Sequence, residues 1–326
     1  MKATAIAPSN IAFIKYWGRK DEELRLPENG SISMNLSDLL TTTTVEFNPS
    51  YTHDEMSING QIEPQEKAEK IVKHLDRVRA LANTEHKAKV VSENNFPRGT
   101  GLSSSASGFA ALTVAATKAA GLNLSEKELS ILARQGSGSA CRSIPDGFVE
   151  WLDGDTSELS YAQTIFPPDH WDIIDFAVIL TEEMKDISTS EGQKSARTSQ
   201  FYELRQKNIR ERIEQIKKTI REKDFTTFGE ITESDALELH AIMLTSHPSL
   251  IYWYPATITI MKCVKKWRKE GLEAYFTMNT GQNIHVLCQK KDAEKLEAQL
   301  QAIPEVKQTM RNSSAKGARI IQEHLF

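Results

Sequence analysis

The stretch Asn95-Phe96-Pro97-Arg98-Gly99-Thr100-Gly101-Leu102-Ser103-Ser104-Ser105-Ala106-Ser107-Gly108 decides how this chain is read. It follows a strand predicted at residues 88–91 and runs into the alanine-rich segment 108–120, predicted as a helix that Gly121 ends. The two glycines let backbone amides approach a ligand, and Ser103, Ser104 and Ser105 place hydroxyls where the helix begins. Unpaired amides and the positive end of the helix dipole favour an anion there, above all a phosphate. The loop lacks the Gly-Lys-Ser/Thr ending of a Walker motif. An ordinary glycine turn with a serine N-cap would use the same residues.

Two further clusters have matching chemistry. In Gly136-Ser137-Gly138-Ser139-Ala140-Cys141-Arg142-Ser143 the hydroxyls of Ser137 and Ser139 stand beside Arg142, whose planar fork suits phosphate or carboxylate. A helix C-cap with Arg142 paired to a surface acid fits equally well. Near the start, Lys15, Tyr16 and Arg19 interrupt an apolar segment and suit a multiply charged anion; snorkelling basic residues at a strand end are the common alternative. Taken together, the clusters make two anion sites, which points to phosphoryl transfer between a nucleotide and a phosphorylated acceptor.

The rest of the chain sets the frame. With 326 residues it is long enough for two cores, and 39% hydrophobic against 26% charged residues describes a soluble globular protein. No apolar run is long enough for a membrane span, and the N-terminus lacks the apolar core of a signal peptide. A net charge of -4 argues against general nucleic-acid binding. Cys141, Cys263 and Cys288 are widely spaced and suit reduced thiols in a cytoplasm, and the histidines form no metal-ligand pattern. Strands are predicted at 3–7, 41–47, 148–152 and 173–180, and a hairpin at 274–278 and 284–288. Helices are predicted at 65–79, from the Ser125/Glu128 capping box to 134, at 202–223, and from Pro255 to before Gly271. Strands and helices mix without strict alternation, so the expected class is α+β, with a break near residue 172.

In this setting the loop at 94–108 resembles the phosphate loop of the GHMP kinase superfamily. Segments Asn10–Arg19, Leu26-Pro27-Glu28-Asn29-Gly30-Ser31-Ile32-Ser33 and Gly136–Ser143 resemble one branch, the diphosphomevalonate decarboxylases. So do Lys185-Asp186-Ile187-Ser188-Thr189-Ser190-Glu191-Gly192 and Phe276-Thr277-Met278-Asn279-Thr280-Gly281-Gln282-Asn283, in the same order along the chain. The resemblance implies a two-domain GHMP fold, with residues 1–172 carrying a βαβ unit of unusual hand and residues 173–326 ferredoxin-like. It implies a cytoplasmic homodimer acting on a mevalonate phosphate with ATP and Mg²⁺. Pro97, Gly99, Gly101, Leu102, Ser103, Ser104, Ser105 and Ser107 would bind ATP, and Ser105 would also meet the metal. Tyr16, Arg19, Ser137, Gly138, Ser139, Arg142 and Thr189 would hold the substrate, with Lys15 beside the catalytic acid.

The chain departs from that pattern where the family's late strand reads Asp-Ala-Gly-Pro-Asn. Here it reads Asn279-Thr280-Gly281-Gln282-Asn283, so the acid is an amide that can hydrogen-bond a hydroxyl but not take its proton. Three accounts compete: an inactivated Asp-to-Asn variant, which the otherwise matching positions favour; a paralogue that phosphorylates or binds without decarboxylating; and a slow decarboxylase in which Lys15 suffices. Arg19 stands where lysine is usual, and Ser143-Ile144-Pro145-Asp146-Gly147 replaces a glycine-rich turn and brings an acid near Arg142. Both lie at the expected 5-phosphate end and leave one or two phosphates open.

Overall fold

Strand β1 (Lys2–Ile14) is buried over most of its length, and Ala3, Ala5 and Ala7 leave room for a helix to lie on it. The computed structural model describes every residue except Arg98 and the side chains of Gln65, Glu66 and Lys67, so Arg98 of the quoted loop lies outside the described residues. A ribbon of β2 (Arg19–Asp21) and β3 (Leu26–Pro27) leads to the long β4 (Ser31–Asn48). Next come β5 (Glu55–Ile58), β6 (Gln61–Ile62), α1 (Gln65–Ala82) and β7 (Lys87–Asn94), with β5 and β7 parallel across α1. After α2 (Ser104–Ala119) and α3 (Glu126–Gly136), β8 (Phe148–Trp151) and β9 (Ala162–Phe166) complete this half. β4 bends so that its second part pairs β1 and β7 while its first part pairs β1 and β8.

The second sheet is antiparallel throughout. It is built from β10 (Ile173–Ile179), β11 (Ala274–Thr277), β12 (Ile284–Gln289) and β13 (Gln308–Asn312) in the order β11-β12-β10-β13. Between β10 and β11 the chain forms α4 (Thr189–Lys194), α5 (Tyr202–Glu222), α6 (Phe225–Thr245) and α7 (Pro255–Lys269); α8 (Ala293–Gln301) precedes β13. The last strand, β14 (Arg319–Ile321), returns to the first sheet and pairs with β1. This is the α+β arrangement expected from the mixed pattern.

One core cluster crosses the seam between the sheets. Ile11, Phe13, Ile32 and Met34 meet Ile213 and Ile216 of α5, Phe225 and Phe228 of α6, and Tyr275 and Leu287 of the second sheet. The two halves therefore share buried apolar surface, which holds loops from both in one register.

Two local expectations change. Helix α2 begins among the serines, at Ser104, but its N-cap residue Ser103 is left-handed (φ 58°) and makes no side-chain capping bond. Its hydroxyl instead accepts from the Asn279 side chain. Helix α6 is absent from the sequence reading because buried Glu233 and Asp235 interrupt its apolar face. Asp235 is buried against Arg205, at 2.9 Å, so tertiary pairing overrides the polar pattern. No helix among the described residues is long and apolar enough to cross a membrane.

Candidate active site

The end of β1, the start of α2, the turn after α3, the segment before α4 and the β11–β12 loop converge on a cavity of about 260 Å³. Its lining includes Lys15, Tyr16, Arg19, Gly99, Gly101, Ser103, Ser104, Ser105, Ser137, Gly138, Ser139, Arg142, Thr189 and Asn279. Positions as far apart as Ala12 and Thr280 thus meet, and all three sequence clusters and the amide position come to one place.

Not every expected residue reaches it. Pro97 and Leu102 are absent from the lining; Leu102 is buried, and its carbonyl accepts from Ser9. Ser107 is also a correction. Its hydroxyl is buried, bonded to Thr41 and to the Ser104 carbonyl, and ties α2 to β4 rather than facing ATP. Thr189 accepts from the Lys185 ammonium at 2.6 Å, and the Ser105 and Ser137 hydroxyls meet at 3.3 Å.

Arg142 is 4% exposed and has no carboxylate partner among the described residues. Nε, Nη1 and Nη2 donate to Ser33 Oγ (3.1 Å), Ser31 Oγ (2.7 Å) and Asn10 Oδ1 (3.0 Å). The surface-acid alternative fails, because Asp146 instead accepts from the Gly317 amide at 2.6 Å. Burial pushes the Arg142 guanidinium below its ordinary range, although arginine remains charged. A cation held by three neutral oxygens, with N–H groups to spare, is a receptor for an anion.

Other cations share the wall. Arg19 bonds Glu22 at 2.6 Å. Sequence reasoning missed three more: Arg25, Lys70 and Lys185. Arg25 donates to the Gln135 carbonyl at 3.0 Å, and burial, then the neighbouring Arg19, draws its pKa down. Lys185 donates to Thr189 Oγ1, to the Thr280 carbonyl (2.7 Å) and to Thr280 Oγ1 (3.1 Å); burial lowers its pKa to about 8. The only sequence signal for Lys185 was its place in the quoted 185–192 segment. No aspartate or glutamate is among the described lining residues, so the cavity is strongly electropositive within a chain of net charge -4.

Asn279 sits between the two halves. Its Nδ2 donates to Ser103 Oγ at 2.8 Å, and its Oδ1 accepts from Lys15 Nζ at 3.2 Å. Its carbonyl meets His240 Nε2 at 3.1 Å; His240 therefore carries its proton on Nε2, and burial lowers its pKa to about 3. Lys15 is 3% exposed and also donates to the Ala12 carbonyl. Burial lowers its pKa to about 7, partly offset by Asp235 and reinforced by Arg142 and Arg205. The adjoining Gly281 packs on Gly101, where an added Cβ would lie 2.3 Å from the Gly101 Cα. That backbone contact locks the serine loop to the β11–β12 loop.

The chain is similar to known proteins in both sequence and fold. The family model for the diphosphomevalonate decarboxylase-like N-terminal domain matches residues 7–162, and that for the mevalonate 5-diphosphate decarboxylase C-terminal domain matches residues 176–324. A diphosphomevalonate decarboxylase of Candida albicans is 36% identical over 311 residues, covering 90% of this chain and 86% of the relative. A phosphomevalonate decarboxylase of Haloferax volcanii is 33% identical over 298 residues, covering 91% of each. A solved structure of MDDEF in complex with MVAPP, AMPPCP and magnesium superposes with a TM-score of 0.93 at 38% identity over 99% of both chains.

Proposed function

Because the chain belongs to the diphosphomevalonate decarboxylase family, we propose that it converts (R)-5-diphosphomevalonate and ATP to isopentenyl diphosphate, ADP, phosphate and carbon dioxide. The observation that carries the reading is the carboxylate-free cavity whose cations face the serine loop across Lys15 and Asn279. Gly99, Gly101 and Ser103–Ser105 form the ATP side, where backbone amides and the start of α2 suit phosphate. Tyr16, Arg19, Ser137, Gly138, Ser139 and Arg142 form the acceptor side. The lining hydroxyls fit Mg²⁺ carried on ATP better than a resident metal, and no cluster of metal-ligating side chains occurs among the described residues. Ser105 would meet that ion, which offsets phosphate charge when bound.

The chemistry follows from leaving-group ability. Hydroxide leaves carbon poorly, whereas phosphate leaves well, so the tertiary hydroxyl is first phosphorylated. Departure of phosphate with its bonding electrons leaves a cation-like carbon, and loss of the neighbouring carboxylate as carbon dioxide supplies the alkene electrons. Buried cations hold both anionic ends of the acceptor while the reacting centre stays between them. Arg25 beside Arg19, with Lys70 also on the cavity wall, supports a substrate with two phosphates rather than one. The contact of Lys15 with Asn279 favours a slowed decarboxylase over an inactivated one.

Product analysis with ATP and each mevalonate phosphate tests this. Carbon dioxide, ADP and phosphate should form in equal amounts, with kcat/KM at least about tenfold higher for the diphosphate, the value of one extra charge-assisted contact. Turnover of the monophosphate alone would make the chain a phosphomevalonate decarboxylase; ADP without carbon dioxide would make it a kinase. A related expectation concerns the loop lock: Gly281→Ala, forced against Gly101, should raise the KM for ATP about tenfold or more, an overpacking cost of about 1–3 kcal/mol.

A further inference from the structure

The reaction needs a group to take the proton of the tertiary hydroxyl, and residue 279 cannot do so as an amide. Of the two side chains at that point, Asn279 is already committed: its Nδ2 donates to Ser103 and its Oδ1 accepts from Lys15. The Lys15 Nζ has two acceptors, Asn279 Oδ1 and the Ala12 carbonyl. A neutral amine has two N–H donors and one lone pair. Both donors are then satisfied, and the lone pair is left for the cavity that Lys15 lines. An ammonium would instead turn a third, unpaired N–H into the same space. We infer that the Lys15 amine accepts the proton of the substrate's tertiary hydroxyl in this chain, with Asn279 acting as a positioning residue for it. This rests on the decarboxylase reading above.

The charges around Lys15 agree with that state. Asp235 of α6 faces its backbone amide, accepting at 2.8 Å, and is itself paired with Arg205 of α5. Asp175 of β10 is engaged by His285 at 2.9 Å. Arg142 and Arg205 oppose a further positive charge, and His240 of α6 is neutral. No carboxylate contacts Nζ among the described residues, and burial sets its pKa at about 7. The amine is thus available near neutral pH and matched to the task.

The step balances. The hydroxyl O–H bond breaks as an Nζ–H bond forms, and the oxygen bonds the terminal phosphorus of ATP while ADP leaves with the electrons of the broken P–O bond. The carbon–oxygen and carbon–carboxylate bonds then break to release phosphate and carbon dioxide, and the Lys15 ammonium returns its proton to solvent.

The test is the pH profile of carbon dioxide release under saturating substrates, for the full chain and for Lys15→Arg, Lys15→Met and Asn279→Asp. The expected kcat rises tenfold per pH unit below about 7 and levels above it. Lys15→Arg, which keeps the charge but cannot deprotonate, should lose as much as Lys15→Met, about 10²–10⁴-fold. Thermal melting of each variant reports whether it folds. A flat profile through pH 7, or activity retained by a folded Lys15→Arg, would overturn the assignment. If the unaltered chain releases no carbon dioxide while Asn279→Asp does, Lys15 is not the acceptor and the chain is an inactivated member whose site is still built for decarboxylation. If neither chain releases it, the decarboxylase reading falls as well.

Discussion

Asn279→Asp will raise carbon dioxide release about a hundredfold at pH 5 and by less than about tenfold at pH 8. The sign follows from Lys15. With a pKa of about 7, only about one Lys15 in a hundred is neutral at pH 5, two units below, whereas most are neutral at pH 8. A carboxylate at 279 stays ionised at pH 5 because the adjacent ammonium favours its charged form, and it supplies a base that the amide lacks. It also raises the Lys15 pKa, so the limb near pH 7 should move into the carboxylate range. The exchange is nearly isosteric, and Ser103 adapts by donating its hydroxyl hydrogen instead of accepting one. Rates under saturating substrates at the two pH values decide the matter; an equal gain at both would mean that Lys15 protonation does not limit the reaction.

Arg142→Gln will weaken binding of diphosphomevalonate about a hundredfold, close to 3 kcal/mol, while the melting temperature moves by only a few degrees. Binding suffers because the guanidinium is aimed by three separate oxygens, Ser33, Ser31 and Asn10, and meets the anion already oriented. Stability suffers little because the folded protein also loses a buried charge held only by neutral oxygens, whose desolvation is unfavourable. Arg142→Lys separates charge from geometry. It keeps the positive charge but abandons the fork, and should still lose about tenfold or more. Calorimetry without ATP measures each dissociation constant; near-normal binding by Arg142→Gln would move the acceptor's anionic group elsewhere.

Elements whose pattern is local were legible in the chain. The Ser125/Glu128 capping box is present, α5 (Tyr202–Glu222) carries its isoleucine stripe inward, and α7 starts at Pro255. The hairpin of β11 and β12 pairs as expected. What escaped was set by distant partners. α6 hides its helical pattern behind Asp235, a residue that makes sense only once Arg205 is beside it. Ser107 belongs by sequence to a phosphate loop, yet β4 claims its hydroxyl. Arg25 lies in a segment without a distinctive spacing and Lys185 is marked only by its place in the 185–192 segment, so it is the closing of the cavity that shows both on its wall.

From its sequence alone the chain determined a glycine–serine loop opening a helix, two basic clusters, and an amide where an acid was expected. Those features depend on residue type and on neighbours within a few positions, which dihedral preferences and hydrogen-bonding capacity govern. Only the tertiary structure decided how they are charged and aimed. Lys15 meets Asn279 across 264 positions, Asn279 meets Ser103 across 176, and Arg142 meets Ser31 across 111. Whether a lysine is an ammonium or a free amine depends on the water removed and the charges brought near it, and both are set by packing.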